Sequence, residues 1–398
     1  MAVRKVADGV FVVSASDKRI EYFENLFPVP DGAAYNSYVV TDEKTAVLDG
    51  ADAAVASEFL EGVGKALGGR PLDYIVINHL EPDHSAALGC LIARYPEATL
   101  VGNAKTKAMA AIYLDADRVA KMQVVAEGET LSLGKRALSF VMTPMVHWPE
   151  SMVAYDATDG ILFAQDAFGA FGSVDGCVFD DEADFGEKYI DEMRRYYANI
   201  VGKYGAQVTA VLKKVAALDV KTICPIHGLI IRKHIAEAVE LYSKWSSYAP
   251  EKRGVAIAYA SMYGNTKRAA FELAARLAER GVKEIVVRDL SRTDVSYVVA
   301  DAFKYSHMAL ASVSYNGGLY PKIEALLADF KALNVQNRAF SLIENGSWAP
   351  CAARQMKEKL DALKAVRYVG ETLTVRGSVL DEAALDALAA AIAADVKA

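Results

Sequence analysis

The sequence predicts two α/β-type domains in tandem. Residues 1–250 should form helices around mixed sheets, and residues 251–398 should form a doubly wound parallel sheet of five strands. The chain has 398 residues, enough for two hydrophobic cores. A polar stretch, "ELYSKWSSYAPEKRG", precedes the second region, as expected of a domain boundary. Beyond it, short apolar runs alternate with amphipathic helical patterns, which is typical of a parallel sheet with crossover helices.

The second domain contains five candidate strands. They are "GVAIAYA", "EIVVRDL", "HMALASV", "RAFSLIE" and "VRYVGETLTV". Between the first two, Ala270, Leu273, Ala274 and Leu277 recur at helical spacing, and Gly281 supplies a C-terminal stop. The tail "DEAALDALAAAIAADVKA" predicts a final amphipathic helix.

The first domain has less regular patterns. "NSYVVTDEKTAVLDG" predicts two short strands, and "PLDYIVINHL" predicts a buried strand. Helices are expected over 53–67, 84–94 and 104–113. Later strands are expected in "ALSFVMTP", "SMVAYDATDGILFA" and "VKTICPIHG". These elements predict αβ layers with mixed sheets.

Composition narrows the class of protein. The chain is 53% hydrophobic and 24% charged, and its net charge of −7, with Lys and Arg scattered, disfavours a nucleic-acid surface. It has no apolar run of the roughly 20 residues that a membrane helix needs, and "MAVRKVADGVFVV" lacks the apolar core of a signal peptide. We therefore expect a soluble cytoplasmic protein without nucleic-acid or membrane partners.

The four cysteines form no CxxC pair, and they are expected to be small buried residues: Cys90, Cys177, Cys224 and Cys351.

One loop concentrates metal-type side chains. The stretch "INHLEPDHSAAL" places His79, Glu81, Asp83 and His84 directly after the apolar run "YIVI". Ligands of α/β folds usually bind where strands end, and imidazole with carboxylate suits iron, manganese or zinc. Taken singly, each of these side chains could equally be a solvated or hydrogen-bonded structural residue.

Three further donors follow other predicted strands. His147 lies in "TPMVHWPES", Asp166 in "ILFAQDAF" and His227 in "CPIHG", so several strands are expected to deliver donors to one rim. Four histidines and three carboxylates are too many ligands for one ion. They suit two ions about 4 Å apart that share a bridging carboxylate. His234 and His307 do not fit this pattern and are expected to be structural.

The series His79-x-Glu81-x-Asp83-His84, His147, Asp166, His227 resembles the metallo-β-lactamase fold, an αββα sandwich, and more closely the flavodiiron proteins. The resemblance extends to "AYNSYVV" and to the order of the domains. It implies that His79, Glu81 and His147 bind one iron, that Asp83, His84 and His227 bind the other, and that Asp166 bridges them. Hydrolases of this fold carry histidine where Glu81 stands, and the extra carboxylate favours redox iron over hydrolytic zinc. Trp148 and Glu150 are candidate partners of the ligand imidazoles.

The second domain provides an independent motif. "SMYGNTKRAA" follows its first strand and precedes a helix, where hydroxyls, backbone N–H groups and the helix dipole can hold a phosphate. It lacks GxGxxG and the P-loop lysine, which disfavours dinucleotides and nucleoside triphosphates. The loop resembles the flavodoxin phosphate loop that binds FMN, although the same residues could simply cap a helix.

Two later loops, "SVSYNGGLYP" and "ENGSWAP", carry aromatics that could cover a flavin ring, although exposed aromatics also occur in ordinary loops. The expected FMN contacts are Ser261, Met262, Tyr263, Gly264, Asn265, Thr266, Ser314, Tyr315, Asn316, Gly317, Gly346, Ser347, Trp348 and Ala349.

Together the two halves imply an oxidoreductase. A diiron(II) site and a reduced flavin can deliver four electrons, enough to reduce O2 to two waters, and two electrons reduce two NO to N2O. The resemblance implies a cytoplasmic O2 and/or NO reductase, assembled as a head-to-tail homodimer or a dimer of dimers. We expect a separate electron donor, rubredoxin or a reduced deazaflavin such as coenzyme F420. The alternatives are a dizinc hydrolase fused to a flavodoxin-like module and a noncatalytic flavin electron carrier.

Overall fold

A computed structural model describes residues 2–398 and divides the chain into two compact units. The first comprises the chain up to Tyr197 together with Ala206–Ser243; the second comprises Ala198–Gly205 and Lys244–Ala398. The boundary that the sequence predicts, between residues 250 and 251, falls inside the second unit and stays a prediction.

The first unit contains two large sheets and a two-stranded sheet of β3 and β4. Its strands are β1 Ala2–Ala7, β2 Val10–Asp17, β3 Tyr22–Phe23, β4 Phe27–Pro28, β5 Ala33–Thr41, β6 Thr45–Leu48, β7 Tyr74–Val76, β8 Thr99–Gly102, β9 Gln123–Val124, β10 Thr130–Ser132, β11 Ala137–Met142, β12 Met152–Asp156, β13 Ile161–Gln165 and β14 Thr222–Pro225. Its helices are α1 Ala56–Leu67, α2 Pro82–Ser85, α3 Leu88–Arg94, α4 Ala104–Ala110, α5 Ala116–Ala120, α6 Glu187–Tyr196, α7 Gly205–Val215 and α8 Ile235–Ser246, with a single turn at Ala53–Val55. The short turns Tyr197–Val201 and Gly202–Tyr204 lie almost wholly in the second unit, as does the end of α8.

Both large sheets of this unit are mixed, as the sequence predicts. One has the order β1-β2-β5-β6-β7-β8-β9, and the other has the order β10-β11-β12-β13-β14. Tyr38 on β5 joins them, because its ring lies 5.3 Å from that of Phe163 and its hydroxyl donates to the Pro225 carbonyl at 2.6 Å. β7, β13 and β14 each lead directly into a segment that carries candidate metal ligands.

The second unit is the doubly wound parallel sheet that the sequence predicts, with the order β16-β15-β17-β19-β20. Its strands are β15 Lys252–Ala260, β16 Ile285–Asp289, β17 Tyr305–Tyr315, β18 Gly318–Leu319, β19 Ala339–Asn345, β20 Arg367–Tyr368 and β21 Leu373–Val375; its helices are α9 Asn265–Glu279, α10 Val295–Lys304, α11 Pro321–Ala332, α12 Ala352–Leu360 and α13 Glu382–Lys397. The expected fifth strand is split, since β20 and β21 both pair with β19 and Gly370, at φ 73°, lies between them.

Several local expectations need correction. The helix expected over 84–94 is interrupted, because the Ala87 amide donates to the Ala51 carbonyl instead of continuing the helix. The helix expected over 104–113 ends at Ala110. Cys224 is buried as expected, but Cys90 and Cys177 are exposed and Cys351 is half-buried.

The two histidines set aside as structural have protein partners. His234 Nδ1 lies 3.0 Å from the buried carboxylate of Asp180, and His307 lies between Ser306 and Asp395. Within residues 2–398, every helix is too short or too polar to span a bilayer.

Candidate metal centre and cofactor pocket

The seven metal-type residues predicted from the sequence come together in the first unit. They form two groups, His79, Glu81, His147 and Asp166, and Asp83, His84 and His227, each with donor atoms within 4.8 Å of one another. Each segment that carries them follows a strand, as expected. The folded chain thus gathers residues up to 148 positions apart in sequence, from 79 to 227, at one rim.

The first group points imidazole nitrogens at carboxylate oxygens. Glu81 Oε2 lies 2.9 Å from His147 Nε2 and 3.3 Å from His79 Nε2. Asp166 Oδ2 lies 3.1 Å from His79 Nε2 and 3.4 Å from His147 Nε2. Nitrogen and oxygen donors at these separations can all lie about 2.0–2.2 Å from one metal ion.

The second group repeats this arrangement. Asp83 Oδ1 lies 3.1 Å from His84 Nε2, and Asp83 Oδ2 lies 3.2 Å from His227 Nε2. The second oxygen of Asp166, Oδ1, lies 3.2 Å from His84 Nε2 and 3.7 Å from His227 Nε2. Asp166 therefore faces one group with each oxygen, which is the geometry of a bridging carboxylate.

The donor atoms are only partly satisfied by hydrogen bonds within the protein, and metal ions would satisfy the rest. Five of their atoms are buried and lack a hydrogen-bond partner: both carboxylate oxygens of Asp83, Asp166 Oδ2, His84 Nε2 and His227 Nε2. Buried polar atoms are costly unless they are satisfied, so this concentration of orphaned donors is best explained by ligation. Two imidazoles and one carboxylate per group, with a shared carboxylate, suit iron or a similar borderline ion.

In the absence of metal, the imidazoles and carboxylates of the cluster shift one another's pKa. Burial lowers the pKa of His147, but the neighbouring carboxylates of Asp166 and Glu81 outweigh it and raise that pKa to about 9. Burial likewise opposes protonation of His84, yet the charges of Asp83 and Asp166 leave its pKa raised. Burial raises the pKa of Asp166, but the charges of His84 and His79 hold it well below its usual value. Metal binding must therefore displace protons.

The loop after β7 is held by its neighbours. Buried Asp49 accepts hydrogen bonds from the backbone amide and the side-chain amide of Asn78, both at 2.8 Å. Gly50 donates to the His84 carbonyl at 2.8 Å, and a Cβ on Gly50 would lie only 2.5 Å from that oxygen. Pro82 starts α2 with a pre-set φ, and Glu81, at the cap position, makes no side-chain capping bond. Its carboxylate consequently faces the imidazoles of His79 and His147.

The other ligand loops are fixed across the two sheets. Asn36 on β5 donates its side-chain amide to the carbonyls of Pro225 and Gly228, at 3.1 and 2.9 Å, on either side of His227. Gln165 donates to the Val146 carbonyl at 2.6 Å, which joins the His147 loop to the strand that delivers Asp166. "AYNSYVV" thus has a structural role in placing a ligand.

The ring nitrogens that face away from the ligand cluster have different partners in the two groups. The buried carboxylate of Glu150 lies 2.9 Å from His79 Nδ1, and the Trp148 ring packs edge-on against His79 at 5.3 Å. His227 Nδ1 instead lies 2.8 Å from the backbone carbonyl of Ala34. Glu150 and Trp148 were expected beside ligand imidazoles, and both contact His79.

Two neighbours of the cluster were missed from the sequence. The hydroxyl of Tyr196, on α6, donates to Asp166 Oδ1 at 2.7 Å. Glu24 lies beside Glu81, and burial together with the charge of Glu81 raises its pKa to about 8. Neither belongs to a motif, and only long-range packing brings them to the site.

The second unit contains a cavity of about 230 Å³ at the C-terminal ends of β15, β17 and β19. Its lining residues are Ser261, Met262, Tyr263, Asn265, Thr266, Val313, Ser314, Asn316, Gly317, Asn345, Gly346, Ser347, Trp348, Ala349 and Gly377. Most of the residues expected to contact FMN are among them. Tyr263 and Trp348 are 88% and 83% exposed, so their rings are free to cover a flat ligand.

Five positions differ from the expected set. Gly264 and Tyr315 do not line the cavity. Gly264 forms the turn before α9 at φ 91°, and the Tyr315 ring packs against Tyr320 at 5.7 Å. Val313, Asn345 and Gly377 were not predicted to line it. Asn345 and Gly377 exchange two hydrogen bonds of 3.1 Å, which bring a distant loop to the cavity without a recognisable motif.

Comparison with known proteins agrees with both halves of this description. Residues 33–228 match the model of the ODP family beta lactamase, and residues 257–392 match that of flavodoxin. A nitric oxide reductase of Moorella thermoacetica is 31% identical over 90% of this chain and 90% of its own.

Solved structures match over the whole length. The rubredoxin oxygen:oxidoreductase of the anaerobe Desulfovibrio gigas has a TM-score of 0.90 and 30% identity, over 100% of this chain and 99% of that one. The flavodiiron protein of Giardia intestinalis has a TM-score of 0.90 and 25% identity, over 100% of this chain and 98% of its own.

The fold and site define a two-domain flavoprotein with a metal-binding β-lactamase-like half. The chain belongs to the flavodiiron protein family, and it is an oxidoreductase.

Proposed function

We propose that the protein reduces O2 to water and/or NO to N2O at the metal centre, with electrons relayed through FMN. The observation that carries this proposal is Asp166, whose two oxygens each face one complete set of two imidazoles and a carboxylate. Such a paired site suits the binding of a diatomic molecule between two metals. The Moorella relative is named for NO and the Desulfovibrio relative for O2, which supports both substrates.

FMN and two iron ions are its cofactors. His79, Glu81 and His147 would hold one iron, Asp83, His84 and His227 the other, and Asp166 both. When bound, the irons and the flavin supply up to four electrons for reduction of the gas. The cavity at the ends of β15, β17 and β19 would hold FMN, with its phosphate at the loop 261–266.

The residues of the chain prepare the site for that chemistry. His79, His84, Asp166 and His227 are buried, so water has little access to them except at the partly open carboxylates of Glu81 and Asp83. The gas would therefore approach on the side of these two carboxylates. Glu150 holds the proton of His79 on Nδ1, which leaves Nε2 as the donor that faces the metal. The hydroxyl of Tyr196 donates a hydrogen bond to Asp166 Oδ1.

The electron donor would be a separate protein or cofactor. Rubredoxin is favoured because the Desulfovibrio relative is named for it, and reduced coenzyme F420 is the other candidate. We propose a head-to-tail homodimer, or a dimer of dimers, in which the flavin of one subunit lies near the metal centre of another. A cytoplasmic location is part of the proposal.

Anaerobic purification followed by gas mixing tests this function. Iron, zinc and FMN are quantified per chain, and the fully reduced protein is mixed with O2 or NO in a stopped-flow instrument. The proposal predicts about two irons and one FMN per chain, with rapid reoxidation and no released peroxide. Zinc-loaded protein that hydrolyses a thioester or lactam would favour a dizinc hydrolase. A metal-free flavoprotein without gas-driven turnover would favour a simple electron carrier.

A further inference from the structure

The two metal-ligand groups have the same donors but different surroundings. Each offers two imidazoles, one carboxylate and one oxygen of Asp166. Groups behind the ligands can then make the electron density differ between the two irons. Two buried side chains, Glu150 and Tyr196, supply such a difference.

Glu150 acts on the first group. Its Oε1 lies 2.9 Å from His79 Nδ1 and accepts from the Leu80 amide at 3.0 Å, while Oε2 is buried without a partner. The carboxylate is fully buried, so its charge is directed largely at His79. A carboxylate that accepts the Nδ1 proton makes the imidazole a stronger donor through Nε2. His227, in the second group, has only a neutral carbonyl at this position.

Tyr196 acts on the second group in the opposite sense. Its hydroxyl donates to Asp166 Oδ1, the oxygen that faces His84 and His227. That hydrogen bond draws charge from Oδ1, while Oδ2, which faces His79, carries no hydrogen bond. Asp166 should therefore donate less strongly towards the second group.

From these contacts we infer that Glu150 and Tyr196 make the irons electronically unequal, and that they direct the first oxidation to the iron of the His79 group. Removal of one electron from the diiron(II) state leaves iron(III) in that group and iron(II) beside Asp83, His84 and His227. The oxidant is the gas in turnover or a redox mediator in titration. Glu150 and Tyr196 are positioning residues, and the inference rests on the proposed function.

Stepwise redox titration of iron-loaded protein, followed by EPR of the mixed-valence state, tests the inference. Glu150→Gln keeps the size and an acceptor oxygen but removes the charge, so it should raise the lower of the two iron potentials and leave the higher nearly unchanged. Tyr196→Phe should lower the higher potential and leave the lower nearly unchanged. Each variant thus reduces the difference between the two iron potentials, Glu150→Gln by raising the lower potential and Tyr196→Phe by lowering the higher one.

Ser151→Ala is the matched control, because Ser151 Oγ lies 3.5 Å from the same His79 Nδ1 and carries no charge. It should leave both potentials in place. Equal shifts in Ser151→Ala and Glu150→Gln, or movement of the higher potential by Glu150→Gln, would overturn the inference. If Glu150→Gln loses iron, Tyr196→Phe decides alone, and an unchanged higher potential would then overturn it. Wild-type protein that binds no iron would instead refute the proposed function.

Discussion

Oδ2 of Asp166 lies 3.1 Å from Nε2 of His79 and accepts no hydrogen bond, although it is fully buried. The other oxygen of the same carboxylate faces the second ligand group. One side chain therefore joins both halves of the centre, and every prediction about metal content depends on it.

Asp166→Asn should reduce iron from about two ions to fewer than one per chain, because the amide keeps the shape but loses the bridging charge. FMN content should stay the same. Iron content is measured by mass spectrometry, and FMN content is measured by absorbance. Asp180→Asn is the control, since Asp180 is equally buried but binds backbone amides around residue 233. Retention of two irons by Asp166→Asn would contradict a bridging role.

His84→Ala tests whether this histidine is a ligand. Its Nε2 lies 3.1 Å from Asp83 and 3.2 Å from Asp166, so we expect iron to fall to about one per chain. His234→Ala removes a histidine that pairs with Asp180 outside the cluster, and it should keep the iron. If His84→Ala also kept both irons, His84 would be only a neighbour of the site.

Iron binding should release protons at pH 7. Although burial opposes protonation, the neighbouring carboxylates of Asp166 and Glu81 raise the pKa of His147 to about 9 in the metal-free protein. Because this value exceeds the roughly 6.5 of an unfolded histidine, the group stabilises the metal-free fold fully below about pH 6.5 and ceases to do so as the pH rises through 9. Iron affinity should rise over the same interval.

Calorimetric titration with Fe(II), in buffers of different ionisation enthalpy, measures the released protons. At least about one proton per chain is expected at pH 7 and fewer at pH 9.5. A buffer-independent heat at pH 7 would show that the ligands are already deprotonated.

Trp348→Ala should weaken FMN binding about 3- to 10-fold, as expected when one aromatic contact is lost. Tyr315→Ala should have a smaller effect, since this ring packs on Tyr320 and does not line the cavity. Val379→Ala removes an exposed apolar side chain that does not line the cavity, and it serves as the control. Quenching of FMN fluorescence gives the affinities. A larger loss with Tyr315→Ala than with Trp348→Ala would reverse the assigned contacts.

Much of the site could be predicted because its residues directly follow recognisable strands. His79, Asp166 and His227 stand within three positions of the ends of β7, β13 and β14, where periodicity and chemistry coincide. Tyr196 and Asn345 gave no such signal, because each reaches its site through packing between elements distant in sequence. The interruption of the helix at Ala87 was likewise unpredictable, since it depends on a hydrogen bond to Ala51.

The most direct measurement of the central claim is the number of gas molecules consumed by the fully reduced protein. Protein that holds two irons and one FMN per chain is reduced by four electrons, freed of reductant and titrated with O2. The account predicts reoxidation by about one O2 per chain without peroxide, because the iron pair and the flavin deliver four electrons together. Release of about one peroxide per flavin, with the irons still reduced, would contradict it.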